Sequence, residues 1–245
     1  MARYKLIACH VLWREFCHFA SQGPNTIEFE FLEQGLHNTP DILRDRLQAA
    51  IDATDNKFDA VLIGYALCSN GIVGLTARHT PLVFLRGHDC ITFLLGSKER
   101  YREYFDAHPG TYWYSPGWID DTTMPGIDRY NSLLKQYVDT YGEENADFLM
   151  RMEQQWFTHY SNAAYVDLGF AKQDAYVEYT RECAKWLGWN CDTLKGDPRL
   201  VIHMLEGRWN DDDFLVLHPG ESVALTYDER IIEARKPNDG VFPPK

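Results

Sequence analysis

Three cysteines of this chain stand where runs of apolar residues end. Cys9 closes YKLIAC, Cys68 follows FDAVLIGYAL, and Cys90 comes shortly after PLVFL. A cysteine that only packs is expected inside such a run, because cysteine is among the most buried residue types. A thiol at the tip of a buried strand is typical of sites that bind metals or attack electrophiles, since the thiolate performs both tasks.

Polar residues crowd around Cys90, since Arg86, His88 and Asp89 all lie within the four positions before it. His88 is the candidate general acid/base or fourth ligand, and Arg86 is the candidate clamp for a substrate anion. A plain ion pair is the alternative for Arg86, and a helix cap is the alternative for Asp89. These residues predict a reactive turn between a strand and a helix.

The residues after Cys68 are small and polar. Ser69, Asn70 and Gly71 predict a tight turn that opens a helix, where backbone N–H groups bind an anion or cofactor. No glycine-rich nucleotide motif accompanies them, so a dinucleotide or P-loop site is a weak interpretation.

The elements that position these residues alternate between strands and helices. Apolar patterning predicts helices at 12–20 and from Thr39-Pro40 onward, and strands at 4–9, 26–32, 58–67 and 81–85. This alternation predicts a doubly wound, mainly parallel, Rossmann-like sheet. The carboxyl ends of parallel strands share one edge, the usual place for a ligand, so all three thiols are expected there. Each thiol also precedes a predicted helix, whose positive N-terminal end is expected to lower the thiol pKa.

The second half of the chain predicts a smaller α/β unit that closes over this edge. We place an N-terminal domain at 1–110, a junction rich in proline, glycine and aromatic residues at 111–126, a second unit at 127–235 and a tail at 236–245. The second unit includes a long helical region at 128–160 and a strand at 214–217.

Composition excludes several classes of function. The net charge of −12 argues against nucleic-acid binding, and no apolar run approaches the roughly 20 residues that cross a membrane. The N-terminus lacks the residue order of a signal peptide, so a cytoplasmic protein is expected. The expected substrate is a small molecule, because ligands bind at the carboxyl edge of such a sheet. In that compartment the six cysteines are not expected to form disulfides.

Three thiolates suit either of two groups. A [4Fe-4S] cluster held by three cysteines keeps one iron open for substrate, and catalytic zinc keeps one open position on three protein ligands. The residues leave the choice undecided, and packing beneath the following helix is the alternative for each thiol. The other cysteines, Cys17, Cys183 and Cys191, are predicted to pack.

The stretches LIACHVLWREF, GLHNTPDILRDRLQAAID, IGYALCSNGIVGL, RGHDCITFLLGS and PGTYWYSPGW resemble a bacterial and archaeal family catalogued as domain of unknown function 1638. The family's cysteine motifs fall on Cys9, Cys68 and Cys90, and its HDC motif includes His88. Members tend to occur beside corrinoid-dependent methyltransferase systems. The resemblance therefore implies methyl or one-carbon metabolism, with a corrinoid protein or methyltransferase as partner.

The sequence thus predicts a metal- or iron–sulfur-dependent enzyme, a lyase or transferase, with a three-cysteine site at the carboxyl edge of a sheet. Two alternatives stay open. One is a non-catalytic metal-binding or delivery protein in corrinoid methyl transfer, and the other is a structural zinc domain with a closed site.

Overall fold

The computed structural model describes residues 1–236, so only Lys236 of the predicted tail lies within the described residues. The strands are β1 (Arg3–Cys9), β2 (Thr26–Leu32), β3 (Ala60–Gly64), β4 (Leu82–Leu85), β5 (Thr111–Tyr114), β6 (Asn162–Asp167), β7 (Asn190–Lys195), β8 (Phe214–Leu217), β9 (Ser222–Leu225) and β10 (Ile232–Arg235). The helices are α1 (Trp13–Ala20), α2 (Pro40–Asp52), α3 (Ile91–Leu95), α4 (Lys98–Ala107), α5 (Pro116–Asp121), α6 (Ile127–Tyr141), α7 (Glu143–Gln155), α8 (Gln173–Leu187) and α9 (Arg199–Glu206). Short 3₁₀ turns span His10–Leu12, Leu36–Asn38 and Trp156–His159. Within residues 1–236, every helix is too short or too polar to cross a bilayer.

The chain forms two compact units, of which the first is assembled from both ends of the sequence. Of the described residues, it contains 1–98 and 197–236, and the second unit contains 99–196. This division differs from the predicted one. The expected junction at 111–126 holds β5 and α5, which lie inside the second unit.

The first unit is built on a five-stranded sheet with the order β2-β1-β3-β4-β8. The first four strands of this order are parallel, and β8 runs antiparallel to β4. The mixed α/β fold with a mostly parallel sheet is therefore confirmed. The strand at 214–217, predicted in the second unit, is β8 of the first unit. Its backbone pairs with β4 and so covers an edge that would otherwise expose unpaired backbone groups, and its Phe214 and Leu217 side chains are buried.

The helices of the first unit bury apolar faces. In α2 the buried residues are Leu43, Leu47 and Ile51, spaced four apart along one face. Helices α1 and α3 both contact α9, and the rings of Phe16 and Phe93 meet edge to face with their centroids 5.5 Å apart.

The connection from β3 to β4 contains no helix, contrary to the prediction. Residues 65–81 form turns and extended chain. They are fixed by contacts with α2, where Gly71 lies against Leu43, and with β9, where Gly74 N–H donates to Val223 C=O over 2.9 Å. Strands β9 and β10 form a separate antiparallel pair beside this connection.

The second unit has its own three-stranded parallel sheet in the order β5-β6-β7. Its core contains Tyr114, Met124, Tyr165 and Cys183. The long helical region predicted at 128–160 is two helices, α6 and α7. They are separated by Gly142, whose φ of 79° is left-handed and ends the first helix.

Gly64, the last residue of β3, is expected to tolerate no side chain. A Cβ there would lie 2.4 Å from the Cβ of Ala8 and 2.8 Å from the Phe16 ring, so Gly64→Ala forces strand and helix apart. We expect the free energy of unfolding in urea to fall by about 1–3 kcal/mol, the usual cost of overpacking. Gly23→Ala is the control, because the nearest atom would lie 3.7 Å away. An equal loss in both variants would contradict the packing argument.

Candidate functional site

The carboxyl ends of β1, β3 and β4 meet at one edge of the first unit's sheet. The register pairs Ala8 of β1 with Gly64 of β3, and continuing it by one residue places Cys9 beside Tyr65. Both residues are buried, with 7% and 2% of their surface exposed. Cys9 and Tyr65 are therefore buried neighbours at this edge of the sheet.

Two backbone hydrogen bonds continue the pairing of β3 and β4 beyond the ends of these strands. Leu67 N–H donates to Gly87 C=O over 2.9 Å, and Cys68 N–H donates to His88 C=O over 3.0 Å. The segment that carries Cys68 is thereby fixed against the segment that leads to Cys90.

All three thiols lie near the hydroxyl of Tyr65. Burial raises the pKa of Tyr65 far above its usual range, and the nearby Cys9, Cys68 and Cys90 raise it further. The Tyr65 hydroxyl is in hydrogen-bonding contact with the Cys9 thiol. Among the described residues, this hydroxyl has no nitrogen or oxygen partner. The structure thus places all three predicted thiols near one buried hydroxyl, with Cys9 in contact with it. We call Cys9, Tyr65, Cys68 and Cys90 the thiol site.

Tyr65 was missed by sequence reasoning, which considered the types of residue that bind metals. One signal was present, because Tyr65 directly follows the apolar strand that leads to Cys68. A polar aromatic residue at the end of a buried strand needs a partner for its hydroxyl, and Cys68 follows it by three residues.

Cys68 begins a turn of left-handed backbone. The φ angles of Cys68, Ser69 and Asn70 are 45°, 56° and 67°, and the turn is closed by Gly71 N–H donating to Cys68 C=O over 3.0 Å. Consecutive non-glycine residues rarely adopt this conformation, because Cβ approaches the following carbonyl. A Cβ on Gly71 would lie 2.5 Å from Leu43, so this glycine lets the turn settle on α2.

The predicted anion site at Ser69, Asn70 and Gly71 lacks the helix on which it depended. No helix begins at these residues, since residues 68–74 are turns. The Gly71 N–H is already bonded within the turn, and Ser69 and Asn70 are exposed. The helix-start interpretation of this segment is therefore wrong, and its polar side chains face solvent beside the thiol site.

The pKa of Cys68 moves in the direction opposite to the one predicted. Burial of the thiol raises it far above the usual range, and the negative charge of Asp89 and the neighbouring Cys9 raise it further. No helix N-terminus lies behind Cys68, and burial outweighs the one contribution that lowers this pKa, a hydrogen bond with the backbone of Ala66. We therefore expect Cys68 to be a protonated thiol at neutral pH.

Cys9 and Cys90 do precede helical backbone, as predicted. Cys9 leads into the 3₁₀ turn before α1, and Cys90 is the N-cap residue of α3. The Asp89 carboxylate accepts a hydrogen bond from Ile91 N–H over 2.9 Å, so Asp89 caps this turn. Cys90 is 8% exposed and lies under the turn that Asp89 fixes.

Arg86 uses its guanidinium to hold segments of the first unit together. Its buried guanidinium donates to the backbone carbonyls of Asp211, Phe214, Arg230 and Ile232, and to the Asp211 carboxylate over 2.9 Å. These bonds tie the end of β4 to β8 and β10. The geometry favours this structural role over the predicted role of an anion clamp.

His88 lies at the surface beside the thiol site. Its carbonyl accepts the hydrogen bond from Cys68, and its imidazole is exposed. The remaining cysteines show mixed burial. Cys183 is buried as predicted and Cys17 is half-buried, but Cys191 is exposed on β7, so packing was the wrong prediction for it. None of the six forms a disulfide.

The side chains of the thiol site are not arranged around a single ion. Among residues 1–236, no three histidine, cysteine or acidic side chains converge closely enough to hold one metal ion. The hydroxyl of Tyr65 stands among the thiols instead.

Comparison with known proteins gives a family without an activity. The model of a family described as a protein of unknown function (DUF1638) matches residues 31–205. The chain therefore belongs to that family, as its motifs indicated. No curated protein matches it, and no solved structure matches it.

The raised pKa of Cys68 predicts slow alkylation. Below that pKa the thiol stays protonated, so in metal-free protein at about pH 8 Cys68 should react with iodoacetamide much more slowly than the exposed Cys191. Peptide mass spectrometry over a time course measures both rates. In urea the two rates should become similar. Preferential labelling of Cys68 in the folded protein would contradict the assigned protonation state.

Proposed function

We propose that this protein is an iron–sulfur-dependent enzyme that acts on a small molecule, with Cys9, Cys68 and Cys90 as ligands of a [4Fe-4S] cluster. The observation that carries the proposal is the gathering of three thiols around one buried hydroxyl at the carboxyl edge of a mostly parallel sheet. Thiolates are the standard ligands of such clusters, and three of them leave one iron open.

The lack of a single-ion site among the described residues favours a cluster over zinc. One zinc ion needs all of its ligands within bonding distance of a single point, and the described residues contain no such convergence. A cluster distributes its cysteine ligands over different iron atoms, so the thiolates can stand further apart around a common centre. The buried hydroxyl of Tyr65, which has no nitrogen or oxygen partner among the described residues, lies beside the thiols and suits a polar inorganic group better than an apolar filling.

The strand order supports the same location. We propose that the sheet is doubly wound and Rossmann-like, because the chain moves from β1 outward to β2 and then crosses to β3 on the other side of β1. Ligands of such sheets bind outside the carboxyl ends of the strands at this reversal. Cys9 and Tyr65 flank the reversal between β1 and β3.

The residues around the thiols have separable tasks in this proposal. The cluster, when bound, supplies a Lewis-acidic iron that binds substrate. The exposed imidazole of His88 serves as general acid or base beside it. To hold the cluster, Cys68 would lose the proton that burial keeps on its thiol, so affinity for the cluster would rise with pH.

The biological setting is also part of the proposal. Because the motifs resemble a family whose members accompany corrinoid methyltransferases, we propose a substrate from methyl or one-carbon metabolism and a corrinoid protein or methyltransferase as partner. Six cysteines without a disulfide suit the reducing cytoplasm.

Anaerobic reconstitution with iron and sulfide tests the proposal. The wild-type protein should become brown and bind about four irons per chain, the content of one [4Fe-4S] cluster. Cys9→Ser, Cys68→Ser and Cys90→Ser should each lower the retained iron at least about tenfold, since even outer-shell changes cost that much at metal sites. Cys17→Ser and Cys191→Ser are matched controls and should retain full iron.

Other outcomes would overturn the proposal. A colourless protein with one zinc per chain, unfolded by Cys68→Ser, would establish the structural zinc domain. A loaded cluster that binds no small molecule and accelerates no reaction of the partner would favour the accessory protein. Equal iron in all five variants would remove the thiol site from consideration.

A further inference from the structure

We infer that Tyr65 positions and tunes the metal group: its hydroxyl donates a hydrogen bond to the Cys9 thiolate when the site is loaded, and this bond raises the group's reduction potential. The inference rests on the proposed function, because it concerns a thiolate that metal binding creates. Tyr65 is a positioning residue in this scheme, since it acts through the sulfur of Cys9.

The buried hydroxyl of Tyr65 lacks a strong hydrogen-bond acceptor. The side chain is 2% exposed, and its hydroxyl has no nitrogen or oxygen partner among the described residues. Buried hydroxyl groups in proteins are nearly always paired. The contact available is the Cys9 thiol, and a neutral thiol is a weak acceptor. The hydroxyl is therefore poorly satisfied in the protein without metal.

Metal binding changes the acceptor. A cysteine that ligates a metal is a thiolate, and hydrogen bonds to ionised groups are roughly twice as strong as those between neutral groups. The strand register holds Cys9 and Tyr65 side by side, so the donor is already in place when the thiolate forms. The loaded site thus supplies the partner that the buried hydroxyl lacks.

A hydrogen bond to a ligating sulfur changes the reduction potential of the metal group, whereas packing of the ring alone does not. It withdraws electron density from the sulfur and stabilises the reduced group, which carries more negative charge. Removal of the hydroxyl should therefore shift the reduction potential to more negative values. A phenylalanine ring would fill the same volume without this effect.

The test compares Tyr65→Phe with Tyr4→Phe after anaerobic reconstitution. Tyr4 is a buried tyrosine of the same strand as Cys9, but five residues earlier, about 17 Å from it at the strand rise per residue. Iron content and a dye-mediated redox titration are measured for both variants. Tyr65→Phe should hold the wild-type amount of iron at a more negative potential, and Tyr4→Phe should match the wild-type protein in both.

The outcomes separate the two proposals. A wild-type protein that binds only zinc, or no metal, overturns the proposed function and the role of Tyr65 together. A wild-type cluster whose potential is the same in Tyr65→Phe overturns the role of Tyr65 alone. If Tyr65→Phe fails to fold, 3-fluorotyrosine at position 65 keeps the shape and strengthens the donor, so the potential should become more positive; an unchanged potential overturns the inference.

Discussion

The thiol site depends on the parallel pairing of β1, β3 and β4. Backbone hydrogen bonds continue this pairing beyond the ends of β3 and β4. Gly64 allows β3 to lie close against β1 and α1, because any side chain there would meet Ala8 and Phe16. The hydrogen bonds from Leu67 and Cys68 then extend the pairing into the two loops. Each such bond contributes only about 1 kcal/mol. Their importance is geometric, since they fix the segment of Cys68 relative to that of Cys90.

The left-handed turn that begins at Cys68 costs free energy that this framework offsets. Each non-glycine residue in that conformation costs about 1–2 kcal/mol, so the three residues together cost several. The turn is stabilised by its contact with Leu43 and by Arg44, which donates to Asn70 C=O over 3.4 Å. Strained backbone persists where the surroundings hold it, and it concentrates at functional sites. Here it presents the Cys68 thiol to Tyr65.

The sequence allowed the parallel strands and the edge with three cysteines to be predicted, because both depend on local apolar runs and on where those runs end. The position of β8 was not predictable in this way, since its pairing with β4 joins residues far apart in the chain. The left-handed turn was read as a helix start because its residues are ordinary helix caps. The raised pKa of Cys68 comes mainly from burial of the thiol, and Arg86 donates to two segments far from it in the chain, 211–214 and 230–232.

The central claim is that Cys9, Cys68 and Cys90 enclose one iron–sulfur cluster beside the Tyr65 hydroxyl. Anomalous diffraction at the iron edge, from crystals of anaerobically reconstituted protein, measures this most directly. We expect a compact group of about four iron peaks per chain, with the sulfurs of Cys9, Cys68 and Cys90 each bonded to a different iron. Iron peaks bound by other residues, or iron-loaded crystals in which these three thiols hold no iron, would contradict this claim.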